Sequence, residues 1–339
     1  MSDQLENDCD VVVVGGGAAG LSGALMLARA RRSVAVIDTG APRNAPAAGV
    51  HGLLGRDGIR PGELMERGRA EVRGYGGLVV SGEVASAVRR GSGFEVELAD
   101  GRRTRARRLL VATGAVDELP DVPGLQERWG RDVLHCPYCH GWEVRDQAVG
   151  VLATGPQSVH QALLFRQWSG DVGYFRHTAP PLSGEEAEQL AARGITVVQG
   201  RVASLETTGD RLTGVRLDDG TVVARTALAV APRLRVRAGF LAPLGLLPAE
   251  HPAGSGEYVP GDATGLTEVP GVWVAGNVAD PFAQVGAAAA AGAAAAARIN
   301  ADLVAEETRL AVAARRDPFS PESEARVCER VLGDRRHGL

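Results

Sequence analysis

The chain of 339 residues lacks any apolar run long enough to cross a bilayer, and its first ten residues lack the basic-then-apolar order of a secretory leader. A soluble protein with a cytoplasmic address is expected. Positive charge is not in surplus either: 37 basic and 41 acidic side chains leave a formal charge of -4, which gives no electrostatic reason to expect nucleic acid or a membrane surface as partner. The local runs Arg102-Arg103 and Arg105 to Arg108 alternate with apolar residues and are expected to face solvent. Cysteine is scarce. Only Cys9, Cys136, Cys139 and Cys328 occur, and the outer two form no second CxxC pair, which weakens a zinc reading. What is present, 45% hydrophobic and 23% charged residues, can bury sizeable cores in two domains or in one domain with an insertion.

The scarce cysteines are concentrated in His135-Cys136-Pro137-Tyr138-Cys139-His140-Gly141-Trp142-Glu143. Thiols at this spacing can close a small-ring disulfide or supply half of a zinc site, with His135 and His140 as further nitrogen donors. In a reducing compartment a CxxC is more often catalytic than structural, and no metal is expected here. A redox dithiol needs an electron partner.

The N-terminal part is patterned to hold one. Val11 to Val14 reads as a strand buried on both faces, followed at once by Gly15-Gly16-Gly17-Ala18-Ala19-Gly20 and a helix over Leu21 to Ala30. In this context Gly15 allows the tight turn, Gly17 lets a pyrophosphate approach the backbone, and Gly20 allows close helix packing. A strand over Ser33 to Ile37 ends in Asp38, where a carboxylate can bind ribose hydroxyls. The irregular stretch from Ala41 to Pro61 offers Arg43, Asn44 and His51 as polar groups that could touch a cofactor, though a solvated loop explains each equally well. A helix over Gly62 to Tyr75, strands near Leu78 to Val88 and Phe94 to Leu98, and a buried strand Leu109 to Ala112 closing on Thr113-Gly114 complete this part.

Pro120 to Gly130 reads as a linker. A second βαβ unit starts with a strand over Ala148 to Ala153 and a helix over Val159 to Trp168, but its turn, Ala153-Thr154-Gly155-Pro156-Gln157-Ser158, has lost the glycine pattern. Strands over Val172 to Phe175, Thr196 to Val198, Val202 to Glu206, Leu212 to Leu217 and Thr221 to Val230, with a helix over Glu185 to Arg193, finish the smaller unit. Val272 to Ala275 is then a strand closing on Gly276-Asn277. Asp280-Pro281 reads as N-cap and first residue of an Ala-rich helix running through Gln284 to Ile299, and an amphipathic helix is expected over Pro321 to Leu332.

The GGGAAG turn, the VATG strand end, the CxxC and the VPGVWVAGNVAD segment occur in an order that resembles the low-molecular-weight thioredoxin reductase family of FAD disulfide oxidoreductases over nearly the whole chain. The resemblance implies an α/β fold of two Rossmann-like, three-layer ββα domains. An FAD domain (residues 1–116 and 247–339, the latter with a helical tail) is interrupted by a smaller NAD(P)H-like domain (117–246) carrying the CxxC. FAD is the implied cofactor, held by Gly15, Gly17, Ala18, Ala19, Gly20, Asp38, Thr39, Arg43, Asn44, His51, Thr113, Gly114, Gly276, Asn277, Gln284 and Val285. Asn277 stands where the family more often has Asp, and either can hydrogen-bond a ribitol hydroxyl. A homodimer is implied too.

Three departures bear on the reaction. The family's CATCDG is Cys136-Pro137-Tyr138-Cys139-His140-Gly141 here, the second dinucleotide turn is defective, and the usual HRR cluster is reduced to Arg176-His177-Thr178. The CPxCH form resembles the dithiol oxidases that close disulfides in natural products of the holomycin and gliotoxin type. This resemblance implies oxidation of a small-molecule dithiol to its disulfide, with O2 as final acceptor and H2O2 as product. Cys136 would form the mixed disulfide, Cys139 would pass electrons to the flavin, and His140, with His135 the weaker candidate, would act as base. An NAD(P)H- or ferredoxin-dependent thioredoxin or disulfide reductase, and a non-catalytic flavin redox sensor, remain as alternatives.

Overall fold

The computed structural model describes residues 8–317 and 321–332. The chain opens with β1 (Cys9–Val14), α1 (Ala18–Arg29), β2 (Val34–Asp38), α2 (Pro61–Gly74), β3 (Leu78–Ser81), β4 (Val84–Arg90), β5 (Gly93–Leu98) and β6 (Arg103–Val111). Strand β7 (Ala115–Glu118) leads into α3 (Leu125–Arg128), β8 (Val133–Leu134), α4 (Pro137–His140), β9 (Val149–Leu152), α5 (Ser158–Phe165), β10 (Val172–Phe175), α6 (Gly184–Ala192) and β11 (Thr196–Val198). There follow β12 (Val202–Thr208), β13 (Arg211–Leu217), β14 (Val222–Ala224), β15 (Ala227–Val230) and β16 (Arg233–Val236). The last elements are β17 (Ala249–Glu250), β18 (Glu257–Tyr258), β19 (Val272–Val274), α7 (Val285–Arg316) and α8 (Pro321–Leu332).

The first sheet runs β3-β2-β1-β6-β5-β4, with β19 also paired to β6. The β-branched run of β1 sits between parallel β2 and β6, and Val11, Val12 and Val13 are fully buried. Alternation splits the sheet's side chains between two cores. Val11, Val13, Val34, Val36 and Leu110 pack with residues of α1, α2 and α7, whereas Val12, Val14, Ala35, Ile37 and Leu109 pack with β4, β5 and the segment around Phe240. The second unit repeats this plan. Its parallel sheet, β11-β10-β9-β15-β8, has α5 and α6 on one face and the antiparallel β12-β13-β14 on the other. Each unit is therefore a three-layer sandwich of helices, parallel sheet and a small antiparallel sheet, the expected α/β class.

The two units are joined by β7 and β16, which pair antiparallel with each other. Ala238, Phe240, Leu241 and Leu246 belong to the first unit's core, which places their packing ahead of the expected 246/247 boundary. We propose that the chain returns to the first unit at β16.

Several elements differ from the sequence reading. The expected strand over Thr221 to Val230 is interrupted between β14 and β15, and the expected linker contains the short α3. Asp280-Pro281 does not start the Ala-rich helix: Asp280 Oδ1 accepts the Phe282 N–H at 3.0 Å in a turn, and α7 begins only at Val285 with Gln284 as its cap residue. The helix also continues past Ile299 to Arg316. Arg107 and Arg108, expected in solvent, instead hold that extension. Arg108 is 8% exposed and donates to Asp302 at 2.6 Å and to Glu306 at 3.1 Å, while Arg107 reaches Asp10, Glu306 and Glu307 at 2.8 to 2.9 Å. Burial alone would lower the pKa of Arg107, but its three carboxylate partners win and raise it, and Arg32 and Arg107 hold Glu307 down at about 2.

The Ala-rich sequence of α7 lets it lie against α1. A Cβ at Gly292 would come within 2.6 Å of the Ala19 carbonyl carbon, whereas one at Gly286 would meet only Leu53 at 3.7 Å. Gly292→Ala should therefore lose about 1–3 kcal/mol in denaturant unfolding through overpacking. Gly286→Ala should be neutral or up to about 1 kcal/mol stabilising through helix propensity. Equal effects at the two positions would refute this account of the helix contact.

Candidate active site

One cavity of about 1720 Å³ runs from the Gly-rich turn of the first unit to the βα turn of the second. This exceeds the roughly 300–1,000 Å³ usual for one small ligand, so it has room for two. Its walls include Gly15, Gly17, Ala18, Ala19, Asp38, Thr39, Arg43, Asn44, His51, Thr113, Gly114, Cys136, Cys139, His140, Gly276, Asn277, Gln284 and Val285. Every expected site residue except Gly20 thus lines one space. Gly20 faces the turn, where an added Cβ would strike the Gly15 carbonyl, consistent with a packing role.

The turn after β1 is shaped for a close backbone approach. Gly15 has φ 104°, and a Cβ there would come within 2.7 Å of the Ala112 carbonyl carbon; around Gly17 the space is open. Gly16, passed over in the sequence reading, donates its N–H to Asp38 Oδ1 at 3.0 Å, and a Cβ on it would come within 2.6 Å of the Asp38 carboxyl carbon. Its glycine identity inside the GGGAAG run was the available signal. Thr113 Oγ1 is buried with no hydrogen-bond partner, an orphan that a bound group can satisfy. The open cradle at Gly17, the carboxylate of Asp38 and this orphan hydroxyl fit a dinucleotide cofactor.

The polar residues expected to touch the cofactor are largely engaged by protein. Arg43 donates to Asp117 through Nε and Nη2 at 2.6 to 3.0 Å, and through Nη1 to Asn277 Oδ1 at 3.4 Å. Asp117, which no motif marked, therefore ties connecting strand β7 to the loop after β2. Asn277 Nδ2 donates to the carbonyls of Asp280, Pro281 and Ala283 at 2.9 to 3.3 Å, which folds the loop that displaces the start of α7. His51 stands between Asp57 (3.4 Å) and Glu143 (3.5 Å), bridging that loop to the CxxC segment.

Cys136 and Cys139 are joined as a disulfide, with Cα atoms 5.3 Å apart. Cys136 precedes α4, and Pro137 fits the first helical position because no N–H is needed there. The Cys136 sulfur accepts the Cys139 N–H at 3.2 Å and faces Gln284 Nε2 of the first unit at 3.8 Å. Thus the cap residue of α7 meets the sulfur that the resemblance assigns to the mixed disulfide. His135 is held by Gln161, whose Nε2 donates to the His135 carbonyl at 2.8 Å. Burial pushes the His135 imidazole down to about 4, and Arg43 adds to this. Burial also lowers His140, partly offset by the Glu143 carboxylate, with His51 pushing it further down. Among the described residues no group of three or more His, Cys, Asp or Glu side chains is arranged to hold a metal ion, and no helix is long and apolar enough to cross a membrane.

Residues 9–297 match the pyridine nucleotide-disulphide oxidoreductase family. The chain belongs to this family. It is 30% identical over 300 residues to thioredoxin reductase tcpT of Claviceps purpurea, covering 82% of this chain and 94% of that one. It is 31% identical over 293 residues to thioredoxin reductase sirT of Leptosphaeria maculans, covering 81% and 88%. Its fold is similar to the crystal structure of HlmI, with a TM-score of 0.86, 49% identity and coverage of 91% and 97%. The chain is thus a thioredoxin reductase-like thiol:disulfide oxidoreductase, from a family that typically uses flavin.

Asn277 gives this oxidoreductase a sharp test. Aspartate there would turn a carboxylate toward three carbonyl oxygens in place of an amide donor. Asn277→Asp should cost about 1–3 kcal/mol at pH 8. The deficit should shrink at pH 5, because three carbonyls at 2.9 to 3.3 Å keep the proton on the carboxyl to higher pH, against the weaker opposing pull of Arg43 at 3.4 Å, and the protonated form donates one bond. Thermal melts of both proteins at the two pH values measure this, and a deficit that stays constant or grows on acidification contradicts the assigned hydrogen bonds.

Proposed function

We propose that the protein is an FAD-dependent dithiol oxidase that closes an intramolecular disulfide in a small-molecule dithiol and delivers the electrons to O2. The observation that carries the reading is a disulfide placed in the wall of one large cavity, between a phosphate-receptive turn in the first unit and a closed turn in the second. The residues that would hold FAD are Gly15 to Ala19, Asp38, Thr39, Thr113, Gly114, Gly276, Asn277, Gln284 and Val285, with Arg43, Asn44 and His51 shaping the adjoining wall. When bound, FAD supplies the two-electron acceptor that returns the dithiol to the disulfide and the donor to dioxygen, which leaves as hydrogen peroxide.

The chain's own residues carry the exchange. His140 takes the proton of a substrate thiol, and the resulting thiolate attacks Cys136 Sγ; the Cys136–Cys139 bond breaks and Cys139 leaves as thiolate. His140 passes its proton to solvent and takes that of the second substrate thiol, and the resulting thiolate attacks the substrate sulfur of the mixed disulfide, releases Cys136 as thiolate and departs as the cyclic disulfide. The Cys139 N–H at 3.2 Å and the Gln284 amide at 3.8 Å both favour negative charge on the Cys136 sulfur, which assists this second step. A second reading, a disulfide reductase fed by NAD(P)H or ferredoxin, draws on the names of the fungal relatives. The closed second turn weighs against its nicotinamide form.

We also propose a homodimer in the cytoplasm, supported by the exposed apolar side chains Val304, Val312, Val327 and Val331 on the last two helices. Light scattering at micromolar concentration should give twice the chain mass.

Anaerobic titration decides the direction of the chemistry. A cyclisable dithiol should bleach the flavin, air should restore it with peroxide formed, and NADPH should do neither. Rapid bleaching by NADPH with reduction of thioredoxin would make the protein a reductase; bleaching by neither would leave a redox sensor. The cysteine roles are read separately: in Cys139→Ser the Cys136 thiolate should displace one half of an activated disulfide probe and keep the other half as a stable mixed disulfide detectable by mass spectrometry, and stable capture only in Cys136→Ser reverses the roles.

A further inference from the structure

The turn between β9 and α5 has the position of a nucleotide-binding turn, where backbone N–H groups beyond the strand are free to meet phosphate. Here the first two are engaged by a side chain. Ser158 Oγ accepts the N–H of Thr154 at 3.1 Å and of Gly155 at 3.4 Å, and the serine is completely buried. Pro156 has no N–H to offer. The Thr154 hydroxyl is turned away and donates to the Ala231 carbonyl at 3.2 Å.

The next strand end, where a 2′-phosphate would need cations, is engaged as well. Arg176 Nε donates to Gln199 at 3.0 Å. His177 is buried with φ 44°, and its Nδ1 accepts the Val202 N–H at 3.0 Å. That bond requires an unprotonated Nδ1, which burial favours and Arg201 reinforces against the opposing Asp218.

We propose that Ser158 is the specificity-determining residue of the second half of the cavity: its hydroxyl oxygen takes the place of a phosphate oxygen, saturates the amides of Thr154 and Gly155, and so refuses the pyrophosphate of a nicotinamide dinucleotide. An alanine or glycine at this position keeps the helix packing and frees both amides. The cavity around Pro156, Gln161 and Leu164 is then left to ligands without a phosphate. The inference rests on the dithiol-oxidase reading, which requires no nicotinamide, and supplies a residue-level cause for that independence.

The test uses the full-length flavin-loaded protein and its Ser158→Ala and Ser158→Gly variants, titrated with NADPH and with NADH by calorimetry. The wild type should not saturate in the millimolar range, and both variants should bind at least about tenfold tighter. Micromolar binding by the wild type, or variants no tighter than the wild type, overturns the inference. Should the variants fold poorly, hydrogen exchange on the wild type remains decisive. The Thr154 and Gly155 amides should be protected without nucleotide and unchanged by it, and added protection with NADPH overturns the inference. Dithiol-driven oxygen uptake by the wild type is measured alongside. Uptake without any gain in the variants refutes only the role of Ser158, and a gain without uptake refutes only the oxidase reading.

Discussion

The cavity depends on how closely α7 can approach the first turn of α1. Two glycines permit that approach, one from each helix: a Cβ at Gly292 would come within 2.6 Å of the Ala19 carbonyl carbon, and one at Gly23 within 3.0 Å of the Gly292 carbonyl oxygen. Any side chain there would push the helix off the turn. Beyond its midpoint α7 is held by Arg107 and Arg108 through Asp302, Glu306 and Glu307. With the helix held at these two places, Gln284 and Val285 arrive at the cavity wall, and Gln284 meets the sulfur of Cys136 from the other unit. Packing of small residues is thus the physical source of the contact at the redox centre.

Features encoded over a few neighbouring residues were readable without coordinates. The valine run of β1, the GGGAAG turn, Asp38 at the end of β2 and the CxxC all stand where local pattern put them, because each expresses one strand, one turn or one short ring. Features set by distant partners were not. Asp280-Pro281 has the right residue types for a helix start, yet Asn277 pulls the carbonyls of Asp280, Pro281 and Ala283 into a loop and delays the helix. Arg107 and Arg108 resemble surface arginines until a helix almost 200 residues later brings carboxylates to them. Asp117 and Glu143 carry no motif, and only the fold pairs them with Arg43 and His51.

The two units solve the same packing problem and part at one turn each. In the first, Gly17 leaves open space and Thr113 keeps an unsatisfied hydroxyl, which costs stability unless a bound group satisfies it. In the second, Ser158 satisfies the backbone internally and His177 does the same for Val202. A polar group left open at one end of a cavity and closed at the other orders the space: one end is built to hold something, and the other is self-sufficient.

The two histidines flanking the dithiol can be separated by the same kind of reasoning. A base must be unprotonated at working pH, and its efficiency falls as its pKa drops away from that of the thiol it serves, ordinarily near 8.5. Burial lowers both imidazoles, so both are neutral at pH 7. His135 has gone to about 4, pushed further by Arg43, and its weak basicity disfavours proton abstraction from a thiol. His140 has Glu143 beside it, whose carboxylate would support an imidazolium there, so it is the better suited of the two to the proposed role. His51 enters this balance through space, since it opposes positive charge on His140 while its ring stands 3.5 Å from the same Glu143. The loop carrying His51 therefore bears on the basicity of His140 as well as on the shape of the cavity wall.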